Sequence, residues 1–174
     1  MENHTSSSNL TGFVSKHPNL LKYSEIISVS IFIAGFILHL LEIKNTDNVL
    51  LLGSIITALT YFLYAFEIVE SENLETTGIL NSSGFINFIY KLTYLAFFTL
   101  FIAAAAIILK NNLDSTMLIV SGTSLLFIFI VSLLTKINDR SKIYNFFFYL
   151  RIVPAIILLI YLVINYSVQF ALKF

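Results

Sequence analysis

The chain has 174 residues, 57% of them hydrophobic and 15% aromatic, with ten Lys+Arg balancing ten Asp+Glu and a mean hydropathy of +0.88. Apolar runs of about twenty residues place it in a bilayer, and the even charge leaves no electrostatic footprint for nucleic acid. The absence of cysteine excludes disulfides, thiolate metal sites, cysteine nucleophiles and palmitoylation.

Residues 1–22 read as a polar N-terminal tail. They lack the basic start and the short apolar core of a cleavable signal peptide, so the first membrane helix is expected to act as its own insertion signal. Residues 23–174 form a single helical transmembrane domain, with spans at about 24–43, 48–66, 85–109, 116–135 and 150–170, each able to cross a hydrocarbon core of ~30 Å at ~1.5 Å per residue. The fold class is therefore an all-α membrane protein of five transmembrane helices.

Between the first two spans lies only "KNTD", and between the third and fourth "KNNLD". Links this short make antiparallel hairpins. The second and third spans are separated by "EIVESENLETTGILNSSG", an acidic stretch with four glutamates. Helix, short turn and helix recur at an offset of 69 residues, matching Lys22, Phe32, Ile33, Ala34 and Gly53 to Lys91, Phe101, Ile102, Ala103 and Gly122. The pattern admits two parallel helical-hairpin repeats plus a fifth helix.

On a helical wheel Glu25, Ser28, Phe32, Gly35, His39 and Glu42 share a sector about 100° wide. In the second span Gly53, Thr57, Thr60, Tyr64 and Glu67 share another. Such stripes should face protein, because polar groups are costly in lipid and small residues favour helix contact. Gly35, Gly53 and Gly122 are the expected packing positions. His39 lies about 6 Å before the end of the first span and Gly53 about 7 Å into the second, so the imidazole is expected opposite a residue with no side chain. Glu42 is expected to pair with His39 at i, i+3.

Candidate chemistry is thin. No carboxylate lies at the centre of a span: Glu25, Glu42 and Glu67 fall at or near its interfaces, so no carboxylate relay is visible. Lys91 and Arg151 are the deepest cations. Snorkelling to the surface explains both, with "KIYNFFFYL" along the interface and Pro154 in the first turn of the last crossing; the sharper alternative pairs them with Glu67 or Glu70. His4 and His17 lie on the side opposite to His39, so no metal ligand set and no cofactor is expected.

Basic residues set the orientation. Lys16, Lys22, Lys91, Lys136, Arg140, Lys142 and Arg151 collect on one side, against Lys44, Lys110 and Lys173 on the other, which puts the N-terminus in the cytoplasm and the C-terminus outside.

Residues 29–67, "VSIFIAGFILHLLEIKNTDNVLLLGSIITALTYFLYAFE", carry a histidine near the outer end of one helix, a glycine early in the next, and a closing Ala65-Phe66-Glu67. In these features the stretch resembles the membrane hairpin of GldL, the gliding-motility and type IX secretion stator family of Bacteroidota. The resemblance implies a bacterial cytoplasmic membrane hairpin within an envelope assembly. That family carries a lysine three residues before the histidine and a glutamate inside the second helix; here these positions hold Phe36 and Thr57, so the pair expected to respond to the proton-motive force is missing. Two functions follow from the whole chain. One is a small non-catalytic membrane subunit that assembles by helix–helix contact with itself or with other membrane proteins, in contact with the lipid bilayer. The other is a transporter or ion- or proton-conducting pore with a path along Glu25, Ser28, His39, Glu42, Thr57, Thr60, Tyr64 and Glu67.

Overall fold

The computed structural model describes residues 18–44, 46–66, 83–109, 114–138 and 146–171. They form five helices: α1 (Pro18–Leu40), α2 (Asp47–Tyr64), α3 (Ser83–Ile108), α4 (Asp114–Asn138) and α5 (Phe146–Ala171). The expected spans are all present with shifted ends. α1 starts earlier than expected, at Pro18, so residues 18–22 are helix and not tail; proline suits a first helical position, where its missing N–H has no intrahelical partner to lose. α5 runs unbroken from Phe146, which puts Pro154 inside the helix and not in its first turn.

Four stretches, Asn19–Leu40, Asp47–Tyr64, Asn87–Ile108 and Thr116–Leu134, are long and apolar enough to cross a membrane; the apolar part of α5, Phe148–Ile164, is shorter. The chain is a multi-pass α-helical membrane protein.

Sequential helices pack side by side, α1 on α2, α2 on α3 and α3 on α4, while α5 lies more sparsely against α4 and α3. α3 is the central element. Its buried positions run from Ile89 through Thr93, Phe97 and Leu100 and widen to the whole run Ala103–Ala106, as suits a helix with neighbours on more than one side. Elsewhere large apolar side chains point outward, as Ile33 and Ile37 do on α1 and Leu126, Phe127 and Ile130 on α4, which a bilayer tolerates and water does not.

The closest approach is between α1 and α2. A Cβ on Gly35 would sit 2.9 Å from the Leu50 backbone, and one on Gly53 would sit 2.8 Å from the Phe32 backbone. Both glycines therefore allow backbone-to-backbone contact, the use of small residues that membrane helices make most often. Gly122 differs, since its Cβ would meet only the methyl tip of Leu159 at 3.2 Å. The repeat-related Phe32 and Phe101 meet edge to face at 4.9 Å, but their matched glycines contact different kinds of neighbour.

The turn after α1 is longer than "KNTD" suggests, because α1 stops at Leu40 and α2 starts at Asp47. Glu42 takes a left-handed φ of 54°. Its N–H bonds to the His39 carbonyl at 3.0 Å, and the Ile43 N–H bonds to the Leu38 carbonyl at 3.2 Å. This is a Schellman ending with glutamate where glycine is usual.

Hydroxyls within the helices are largely satisfied locally. Ser28 donates to the Glu25 carbonyl, Ser54 to Leu50, Thr60 to Ile56, Thr93 to Ile89 and Ser132 to Phe129. Those that face outward do the same, as Ser30 does to Ile26 and Thr123 to Ile119. Such bonds cover polar groups that hydrocarbon cannot solvate.

Candidate functional site

Near one end of the bundle four helices bring polar groups to a common level. Glu25 lies seven residues into α1, Arg151 five residues into α5, Tyr90 seven residues into α3, and Tyr61 and Tyr64 fall in the last turn of α2. At about 1.5 Å per residue, Glu25, Tyr90 and Arg151 sit some 8–11 Å inside their helix ends, and Tyr61 and Tyr64 within about 5 Å of the end of α2. Tyr61 and Tyr64 are i, i+3 and so present their hydroxyls on one face.

The Glu25 carboxylate is buried, at 8% exposure. Tyr61 donates its hydroxyl to Oε1 at 3.1 Å and Tyr64 donates to Oε2 at 3.0 Å. The Arg151 guanidinium donates to Oε2 at 2.6 Å from the far end of the chain. Its Cζ also lies 5.8 Å from the centre of the Tyr64 ring, within reach of a cation–π attraction. Tyr94 stacks on Tyr64 at 5.0 Å and on Tyr61 at 6.4 Å, and Phe97 closes on Tyr61 at 4.8 Å. Tyr90 meets Phe148 edge to face, while Tyr149 donates to the Ser132 carbonyl at 3.3 Å.

This arrangement corrects the expectation for Arg151. Glu25 is buried, as a stripe that faces protein requires, and Arg151 does not snorkel freely but pairs with it; Glu67 and Glu70, the alternative partners, lie outside the described residues. Glu25 and Arg151 neutralise each other, and an ion pair is tolerated in an apolar interior when its remaining hydrogen-bonding capacity is filled. Both carboxylate oxygens are engaged by donors, which leaves the group little scope as a base or nucleophile. Lys91 does lie exposed on α3.

The other end of the bundle is different. His39 does not face Gly53 and does not pair with Glu42. Its Nδ1 lies 3.2 Å from Asp47 Oδ1, with both side chains well exposed. The physical reason is register: Gly35 opposite Leu50 and Gly53 opposite Phe32 set one antiparallel alignment in which His39 comes level with the start of α2. Glu42 does not continue the helical i, i+3 register with His39, because its left-handed backbone ends the helix ahead of it.

Between the two ends, the expected stripe is a line of contacts and not an open path. Ser28, Thr57 and Thr60 are buried, as are Gly35 and Gly53, and Phe32 stacks on Phe36 and meets Phe101 in the middle of the bundle. Thr57 Oγ1 has no hydrogen-bond partner among the described residues. Glu67, the last member of the second stripe, lies outside them. No three His, Asp or Glu side chains converge as a metal site among the described residues.

Asp47, Tyr61, Tyr90, Tyr94 and Tyr161 were not singled out from the sequence as site residues. The signal for Tyr61, Tyr90 and Tyr94 was present: Tyr61/Tyr64 and Tyr90/Tyr94 are two same-face pairs toward the helix ends that carry Glu25 and Arg151. The chain matches no model of a known protein family, no curated protein and no solved structure.

Proposed function

We propose that the chain is a small non-catalytic subunit of the bacterial cytoplasmic membrane, with its N-terminus inside, that works by helix–helix assembly with itself or with other membrane proteins. The observation that carries this reading is how unevenly the helices are covered. The central span Asn87–Ile108 is 56% buried, while Asn19–Leu40 on α1 is 22% and Thr116–Leu134 on α4 is 33% buried. α1 and α4 therefore offer broad apolar outer faces to neighbours, while the strongest charges of the interior are spent on holding the chain's own helices together.

The GldL-like hairpin fits the same reading. Phe36 stands half-buried against Tyr161 at 5.0 Å, and Thr57 is fully buried, so the positions that carry charge in that family serve packing here. A conducting path along α1 and α2 has less support. The backbone contacts at Gly35 and Gly53 and the Phe32–Phe101 pair fill the space between Glu25 and His39.

The test is affinity purification from native membranes, with identification and stoichiometry of what is retained. Co-purifying membrane partners, or a defined oligomer, is the expected result. A partner-free monomer in mild detergent and in native membrane extracts overturns the proposal, and proton or ion flux in liposomes containing only this chain would replace it with the pore.

A further inference from the structure

At the end of the bundle away from Glu25, α1, α3 and α5 part to leave an apolar slot of about 120 Å³. Its walls include Phe36 from α1, Ala104 and Ile108 from α3, and Leu158 from α5. Two features of the sequence produce it. α3 brings Ala104, a small residue within the run Ala103–Ala106, to the wall of the slot, and α5 packs only sparsely on α3. The volume is of the order of the ~150 Å³ apolar cavity that admits a benzene ring, enough for a short length of hydrocarbon chain.

Directly above the slot lies a second, polar basin of about 470 Å³ formed with the α1–α2 turn. His39 and Tyr161 line both spaces, so the two adjoin, an apolar floor beside a charged rim. The rim holds one cation, Lys44, and two carboxylates, Glu42 and Asp47. Asp47 is engaged with His39. Lys44 and Glu42 make no ion pair among the described residues, and the left-handed backbone at Glu42 fixes where its side chain leaves the turn.

The geometry points to a binding site for one phospholipid with a zwitterionic, ammonium-bearing headgroup: the acyl chain enters the slot between α1, α3 and α5, and the headgroup lies in the basin. Lys44 faces the phosphate and Glu42 accepts hydrogen bonds from the ammonium, a charge-assisted pairing on each side. An amphiphile suits two spaces that adjoin at His39 and Tyr161, since a free phosphate would leave the slot empty and a pure hydrocarbon would leave the rim unused. A primary ammonium is favoured over a quaternary one because only the former can donate to a carboxylate. An anionic headgroup meets two carboxylates for one lysine.

The experiment reconstitutes the full chain in nanodiscs holding equal parts of phosphatidylethanolamine, phosphatidylglycerol and phosphatidylcholine, extracts it in mild detergent, and counts retained lipid by native mass spectrometry. One retained phosphatidylethanolamine per chain is expected, over the other two by about tenfold. Ala104→Phe fills the slot and abolishes retention of any lipid. Should that variant fail to fold, Ile108→Phe at the half-buried edge of the slot makes the same test. Lys44→Gln and Glu42→Gln, both on the exposed turn, keep the lipid but erase the headgroup preference. Retention of no lipid, equal retention of all three, or retention indifferent to filling the slot overturns the inference, as does recovery of a phosphate-free apolar molecule from native membranes.

Discussion

The two ends of the bundle each hold an acid facing a base, and they use the pair in opposite ways. At the Glu25 end the partners come from α1 and α5, are buried, and are enclosed by Tyr61, Tyr64 and Tyr94. At the His39 end the partners come from adjoining helices and both stand exposed. Water screens the second pair, whereas removing one member of the first strands a charge in an apolar interior. The same chemistry is thus a structural tie in one place and a rim for something else in the other.

The largest effect should come from breaking the buried pair on one side only. Arg151→Leu is expected to cost about 3–5 kcal/mol of stability in detergent unfolding, while Glu25→Leu combined with Arg151→Leu recovers most of the loss. A double variant as unstable as the single one would show that the tie is not a closed unit. Next, Tyr64→Phe removes one donor to the carboxylate and should cost about 1.5–3 kcal/mol, the range for hydrogen bonds to charged groups. Between the two ends, Gly53→Ala forces a Cβ onto the Phe32 backbone and should cost about 1–3 kcal/mol by overpacking. Gly122→Ala, which meets only a flexible leucine tip, should be well tolerated in the same assay.

At the open end the effects shrink and one changes sign. Glu42→Gly relieves the left-handed backbone and should stabilise the chain by about 1 kcal/mol; a loss would mean that the turn is held by the glutamate side chain. Asp47→Asn should shift stability by less than about 1 kcal/mol, and by less still at high salt.

The five helices and their order were legible because twenty-residue apolar runs and short polar links are strong signals. The opposed stripes on α1 and α2 were legible too, since Ser28, Gly35, Gly53 and Thr57 do turn inward. The partner of Arg151 was not: Glu25 and Arg151 were each marked, yet hydropathy and periodicity describe single helices and are silent on which helices meet across 126 residues. The place of His39 was missed for a different reason. Its depth was counted along an ideal helix to Ile43, and nothing in a glutamate announces that it will take the left-handed position that ends α1 early.

The distances along the chain that separate Glu25 from its partners also set an order of events. Tyr61 and Tyr64 follow it by 36 and 39 residues, Arg151 by 126. At synthesis rates of about 5–20 residues per second, the two phenols arrive within about 2–8 s and the guanidinium only after about 6–25 s. During that interval the carboxylate is sheltered by hydroxyl donors alone, in a nascent hairpin already clasped at Gly35 and Gly53. The tyrosines are then the first half of a lock whose key, α5, is made after the other four helices.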